Sequence, residues 1–238
     1  MTRRLLIAGV ALVAVVALAG GGAYIYFFSG LRSAPTTLGL STPSPTATAT
    51  AGTGLAGTWT VTTGSLAGYR VKELFVGQTS KHDAVARTST VSGSIAVSGD
   101  ATGGYKVSAI TITAVLTDLH SVDSVAGRDV TQRDGYVSRQ MNLQQFPNAT
   151  FTATSVTVPG PVTSQTVDLS IPGQLTIHGV TKDVTATAKA QETGGKLEIA
   201  GSVATVMTDY GVSPPSVPFT TVDPQVTVEF QIFLTKAS

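Results

Sequence analysis

The chain has 238 residues, 15 Lys and Arg against 14 Asp and Glu, a formal charge of +1 and no cysteine. With 12% charged residues and no basic cluster, it lacks the phosphate-neutralising surface that a nucleic-acid-binding protein needs. The missing cysteine excludes disulfides, thiolate metal ligands, a cysteine nucleophile and a lipid-modified cysteine.

In chain order, residues 1–4 form a short tip carrying Arg3 and Arg4, and residues 5–28 form an uncharged apolar run. As a helix that run would span roughly 36 Å at about 1.5 Å per residue, enough to cross a ~30 Å hydrocarbon core. The two arginines put the N-terminus in the cytoplasm. Tyr24, Tyr26, Phe27 and Phe28 cluster at the outer end, where aromatic rings favour the interface. The expectation is a single-pass transmembrane anchor in the cell membrane, with everything after it extracytoplasmic. "ALAG" at Ala17–Gly20 offers the alternative of a cleaved signal peptide, which exports the remainder equally well. Residues 29–56 are rich in Thr, Ser, Pro, Ala and Gly with one charge, Arg32. That composition predicts a flexible linker or stalk. "NAT" at Asn148 matches an N-glycosylation acceptor, a pattern short enough to occur by chance.

Residues 57–238 read as strand almost throughout, from β-branched residues in alternation with breaks at Gly, Pro, Asp and Asn. The predicted strands are Thr58–Val61, Ala67–Val76, Thr88–Ser98, Tyr105–Asp118, Ala149–Val158, Gln165–Ile171, Gln174–His178, Val180–Glu192, Lys196–Met207 and Gln225–Thr235. "GDATGG" at Gly99 and "ETGGK" at Glu192 supply the glycines that hairpin turns require. The exception is Val125 to Phe146, polar and without alternation, which predicts a loop leading into one short helix.

Alternation assigns the faces. Tyr69, Val71 and Phe75 share one face with Glu73; Ile110, Ile112 and Leu116 share another; Val228, Phe230 and Ile232 share a third; Leu175 and Ile177 share a fourth. One apolar and one wet face per strand is the signature of a closed antiparallel sheet. About eight such strands make a barrel that holds side chains or one small apolar ligand. A single short helix is too little to cover an open sheet, so the predicted fold is all-β, an extended eight-stranded lipocalin-like barrel. The apolar residues just named are its predicted ligand lining.

Six stretches in order resemble one family: "TWTV" at Thr58, "AGYRVKELF" at Ala67, "VSGSIAV" at Val91, "RDGYVSRQMNLQQFPNATF" at Arg133, "GQLTIHGVTKDVT" at Gly173 and "TDYGVSPP" at Thr208. Together they are similar to the YceI-like family of exported lipid-binding barrels, over nearly all of residues 57–235. The resemblance implies a barrel that holds a long isoprenoid chain, such as a polyprenyl quinone or polyprenyl derivative. The chain departs from the family where many members carry a His-Ser pair and a later His: Gly68 and Tyr69 stand in the first region and Glu73 near the second. Those departures bear on head-group contacts more than on the tail pocket.

Glu73 is a candidate head-group contact near the mouth; the plainer reading is a rim carboxylate paired with Arg or Lys, or turned outward by a bulge. Arg133 and Asp134 read as a structural ion pair, with Asp134 alternatively capping the helix. Arg133 or Arg139 could instead attract an anionic head group. Trp59 reads as barrel-end packing. His178 reads as a structural residue on the outer side of a hairpin bend. His82, His120 and His178 lack metal-ligand spacing, and no nucleophile elbow or phosphate loop is present. The sequence calls for no metal, no cofactor and no catalysis. It points to an isoprenoid or other long-chain lipid as partner, held for sequestration or transport in the cell envelope. The alternatives are a solid-cored structural or adhesion module on a membrane stalk, and a lipid-modifying enzyme. A sandwich module of that kind needs only about 100 residues.

Overall fold

Ten long strands and one helix make up the barrel domain of the computed structural model, which describes residues 14–18, 20–21, 32–42 and 54–237. The strands are β1 (Gly57–Val61), β2 (Leu66–Phe75), β3 (His82–Thr88), β4 (Val91–Asp100), β5 (Gly104–Val115), β6 (Asn148–Pro159), β7 (Thr166–Ile177), β8 (Val180–Thr193), β9 (Lys196–Val206) and β10 (Thr220–Lys236). Helix α1 spans Gln132–Gln140. Eight strands close a ring of antiparallel pairs in the order β1-β4-β5-β6-β7-β8-β9-β10 and back to β1. Strands β2 and β3 stand outside this ring as an arm.

Strand β10 explains how the ring closes at one end and opens at the other. Its last residues, Leu234–Lys236, pair with β1. Its longer first part, Thr220–Gln231, pairs with β2 along the same edge, across a register shift at Val222/Val226. At the β1 end the hydrogen-bonded ladder is complete. At the other end β3 pairs onward only with the two-residue strand His120–Ser121. No ladder joins the arm to β5 and β6 there, and the segment from Leu116 to Pro147, with α1, spans the interval.

The sequence misplaced three strand boundaries. The predicted strand Thr88–Ser98 starts too early: Thr88 ends β3, the chain turns at Ser89–Thr90, and β4 begins at Val91. β3 itself, "HDAVART", went unread: buried on both faces, it carries no alternation to reveal it. The predicted pair Gln165–Ile171 and Gln174–His178 is one strand running through Pro172 and Gly173. β7 pairs with β8 along its length but with β6 only at residues 174–176. Pro172 therefore falls where no neighbour on that edge needs its missing N–H.

The linker also differs from expectation. Arg32–Ser33 pairs with Ser124–Val125. The Pro35 and Thr36 carbonyls accept bonds from Arg70 and Arg87 at 2.7 and 2.6 Å. Further on, the Ser41 amide and hydroxyl donate to Glu198 at 2.8 and 3.0 Å. Residues 32–42 thus form a strap along the outside of the barrel. It covers charges on the nominally wet face: Glu229, paired to Arg70, is 2% exposed and Glu198 is 5% exposed. A Pro/Ser/Thr-rich segment has little apolar surface to bury, and this one is ordered by hydrogen bonds to side chains of the barrel instead. The rest of the predicted linker, residues 43–53, lies outside the described residues. So does most of the predicted anchor, of which residues 14–18, 20 and 21 are helical. Among the described residues no helix is long and apolar enough to cross a membrane.

The core fills the closed end. Trp59, Ile95, Val97, Ile110, Leu197 and Leu234 are among its buried side chains. Trp59 packs there at 3% exposure, its indole N–H donating to the Leu55 carbonyl at 2.8 Å.

Candidate functional site

Along each strand the core gives way to space at the same level. On β5, Ile110 is buried in the core and Ile112 packs against it, whereas Ala114 and the following Leu116 line a cavity. On β7 the change falls between Leu175 and Ile177, and on β10 between Phe230 and Val228. The cavity measures about 650 Å³, within the range of about 300–1,000 Å³ usual for small-molecule sites. Tyr69, Val71 and Phe75 from the arm line it as well. Of the predicted lining, Ile110, Leu175 and Ile232 are buried in the solid core, and Ile112 and Phe230 pack against it. Alternation gives the face of a side chain, not its height in the barrel.

Helix α1 and the turn Met207–Tyr210 roof the cavity with Tyr136, Val137, Met207 and Tyr210. Arg139 lies on its edge, exposed to solvent. A second depression of about 670 Å³ opens among Lys72, Asp83, Lys182 and Asp209. Its charged lining does not suit an apolar ligand.

One wall of the cavity is ionic. Glu73 points inward at 3% exposure and accepts from Arg133 Nη2 at 2.7 Å. Arg133 also forks onto Asp123, with Nη1 to Oδ1 at 2.7 Å and Nη2 to Oδ2 at 3.1 Å. Asp123 in turn lies 2.7 Å from His82 Nε2 and accepts from the Val85 amide at 3.0 Å. Bidentate geometry of this kind fixes a guanidinium in place and supplies charge-assisted hydrogen bonds. The seam that no ladder closes is thus held by a loop residue, a helix residue and two strand residues.

Electrostatics differ along this chain of charges. Burial raises the Glu73 carboxyl above its ordinary value, and Arg133 opposes that without cancelling it. Burial would raise Asp123 too, but hydrogen bonds from His82, Arg133 and Val85 outweigh it and hold the carboxyl well below the usual range. Burial lowers Arg133, and its bond to Asp123 and the charge of Glu73 more than restore it, so it stays cationic. Burial pushes the nearby Tyr69 hydroxyl up, keeping it a neutral donor. Glu73, His82 and Asp123 bring ligand atoms within 4.8 Å of one another. The Arg133 guanidinium already bonds both carboxylates and supplies the positive charge that a cation would bring.

The expected Arg133–Asp134 pair is not formed. Successive helical residues point in different directions, so Arg133 turns to the wall while Asp134 accepts from Ser121 N and Oγ at 3.0 and 2.6 Å. Nor does Asp134 cap the helix; Thr131 holds that position. His82 and Asp123 went unread as partners. "HSVDS" carries no periodicity, and His82 gains its neighbours only through pairing of β2 with β3 and the return of the loop. His178 is half-buried. With φ of 52° it shares a two-residue hairpin turn with Gly179 at 73°, its Nδ1 lies 3.0 Å from the Tyr210 carbonyl oxygen, and its ring meets Phe146 edge-on at 4.9 Å. A side chain at Gly179 would strike the Phe146 ring at 2.6 Å. The hairpin thus fixes the Tyr210 turn above the cavity.

A family model described as the YceI-like domain matches residues 59–234. Curated protein sequences give no match. Among solved structures, a polyisoprenoid binding domain from Saccharophagus degradans, implicated in plant cell wall breakdown, is similar at a TM-score of 0.51 and 14% identity, covering 75% of this chain and 98% of that one. BcnA of Burkholderia cenocepacia has a TM-score of 0.45 at 15% identity, over 69% and 95% of the two chains. The Campylobacter jejuni YceI protein has 0.42 at 13% identity, over 71% and 86%.

Proposed function

This chain belongs to the YceI-like family, and on that premise we propose that it is a non-catalytic carrier of a long-chain isoprenoid or similar lipid, working outside the cytoplasmic membrane. The observation that carries this reading is the cavity of about 650 Å³, apolar over most of its wall and ionic at Glu73 and Arg133. An aliphatic tail fits the apolar part, where Val71, Ile177, Val226 and Val228 offer no directional contacts. The polar end of the lipid meets Tyr69, Glu73 and Arg133. A solid-cored adhesion module would have no use for such a space. The charged groups behind the wall are engaged with one another, and His82, at 3% exposure, sits behind the lining; that supports binding over catalysis.

Burying hydrocarbon from water is worth about 0.8 kcal/mol per CH₂, or about 4 kcal/mol for a five-carbon unit. Association costs an estimated 4–15 kcal/mol, so a few such units suffice for binding from water. Against a bilayer the balance differs, because lipid tails are as apolar as a leucine-lined wall. The cavity then exchanges lipid with a membrane near equilibrium, as a carrier must. The uncharged run at residues 5–28, preceded by two arginines, supports a location at the outer face of the membrane.

The test is to purify the full chain in detergent, extract it with organic solvent and identify lipid by mass spectrometry, beside the cavity-filling variant Val228→Trp. Isoprenoid lipid in the wild type and its depletion in the variant are expected. Equal lipid in both, or no lipid and no uptake of polyprenyl ligands by the wild type, would overturn the reading.

A further inference from the structure

The strap begins at the cavity mouth. Arg32–Ser33 pairs with Ser124–Val125, three residues before Arg128, whose guanidinium lies 4.3 Å over the Phe75 ring at the rim. From there the strap runs away from the mouth towards Ser41 and Glu198. Only Ser29, Gly30 and Leu31 separate Arg32 from the apolar run. Four extended steps reach at most ~14 Å. The mouth side of the barrel is therefore tied within that reach of the last residue of the run.

The same rim carries an apolar tip. Outside the apolar run, the large hydrophobic side chains left exposed among the described residues are Val76 and Phe219, at 68% and 57%. They come from separate turns, one after β2 and one between Val217 and Thr220, and are joined by the Val76 amide donating to the Phe219 carbonyl at 3.0 Å. Phe219 also lines the cavity. At the closed end, the turns at Gly99–Gly104 and Glu192–Lys196 present no such side chain among the described residues.

We propose that Val76 and Phe219 dock the cavity mouth on the lipid bilayer that the apolar run spans, with the strap setting this orientation. The proposal rests on the anchored reading above. Two side chains are a weak membrane anchor alone, but a short tether makes their contact intramolecular, at an effective concentration of order millimolar. The arrangement lets a tail pass between bilayer and cavity without crossing water. A long flexible stalk, as the linker composition suggests, would not constrain which end meets the membrane.

The chain has no cysteine, so one introduced thiol labels one site. Full chain carrying Pro218→Cys, beside Phe219, or Thr102→Cys, at the closed end, is labelled with an environment-sensitive dye. Each is reconstituted into phosphatidylcholine–phosphatidylglycerol nanodiscs containing nitroxide-labelled lipid. The expected result is strong loss of emission at position 218 and little at 102, with the 218 quenching lost when Val76→Ser and Phe219→Ser are added. Equal quenching at 218 and 102, in discs that carry the chain, overturns the docking while leaving the anchor intact. Separation of chain and discs on size exclusion overturns the anchor and the docking with it.

Discussion

The two halves of this barrel are built from the same strands and differ in how the ring is completed. At the closed end β1 lies between β4 and β10, eight strands pair around the circle and side chains fill the middle. At the mouth β10 exchanges β1 for β2, and the β2–β3 arm finds no ladder partner in β5 or β6. The circumference grows and the inward residues no longer meet. Backbone hydrogen bonds hold the first half; the Glu73–Arg133–Asp123–His82 chain and α1 hold the second. A cavity therefore costs little extra where closure is already ionic.

The sharpest way to break the comparison is Arg133→Ala, which leaves Glu73 and Asp123 buried without their cation. A loss of about 3–5 kcal/mol is expected, with hydrogen exchange rising in residues 116–147 and β3 well before β6–β9. Uniform loosening of the whole barrel would contradict the division. Leu234→Ala, at a fully buried site of the closed half, is expected to cost about 2–5 kcal/mol in denaturant unfolding and to leave lipid binding intact once folded. Val228→Trp fills space in the hollow half, so its stability change is expected at about 1 kcal/mol or less, with lipid capacity lost.

Acid separates the inside from the outside. Burial of Glu198 would raise its carboxyl, but bonds from Gln231, Ser41 and Gln191 lower it beneath its ordinary 4.5. Its contribution is complete above that pH and falls away as acid titrates the folded carboxyl. Cleavage of the strap at residues 34–42 by an acid-tolerant protease is expected to rise below pH 4.5 and to be nearly flat above it. Glu73 has the opposite sign: its raised carboxyl contributes fully below 4.5 and loses stability as pH climbs through the raised value. Glu73→Gln is expected to flatten that second slope in unfolding experiments from pH 4.5 to 8, the smallest of these effects.

Much of the fold was legible because strand physics is local. Thr/Val alternation in "QVTVEFQIFLT" and "VSAITITAVLT" marks an apolar face whatever the neighbours are, and "GDATGG" and "ETGGK" turn the chain by backbone freedom alone. β3 was illegible for the converse reason, since burial on both faces removes the alternation. The site was half legible. Glu73 was singled out because it shares a strand face with Tyr69, Val71 and Phe75. Asp123 and His82 were not, because their side-chain partners lie 10 and 41 positions away in the chain and no local rule links them.

The sequence by itself determined an all-β domain with its apolar residues inward, and an uncharged apolar run at residues 5–28. Only the tertiary structure decided at which height those residues stop touching, which charges close the mouth and where residues 32–42 lie. The reason is that a side chain's face follows from its own strand's two-residue period, whereas height, pairing and strap position follow from ring closure among strands far apart in the chain.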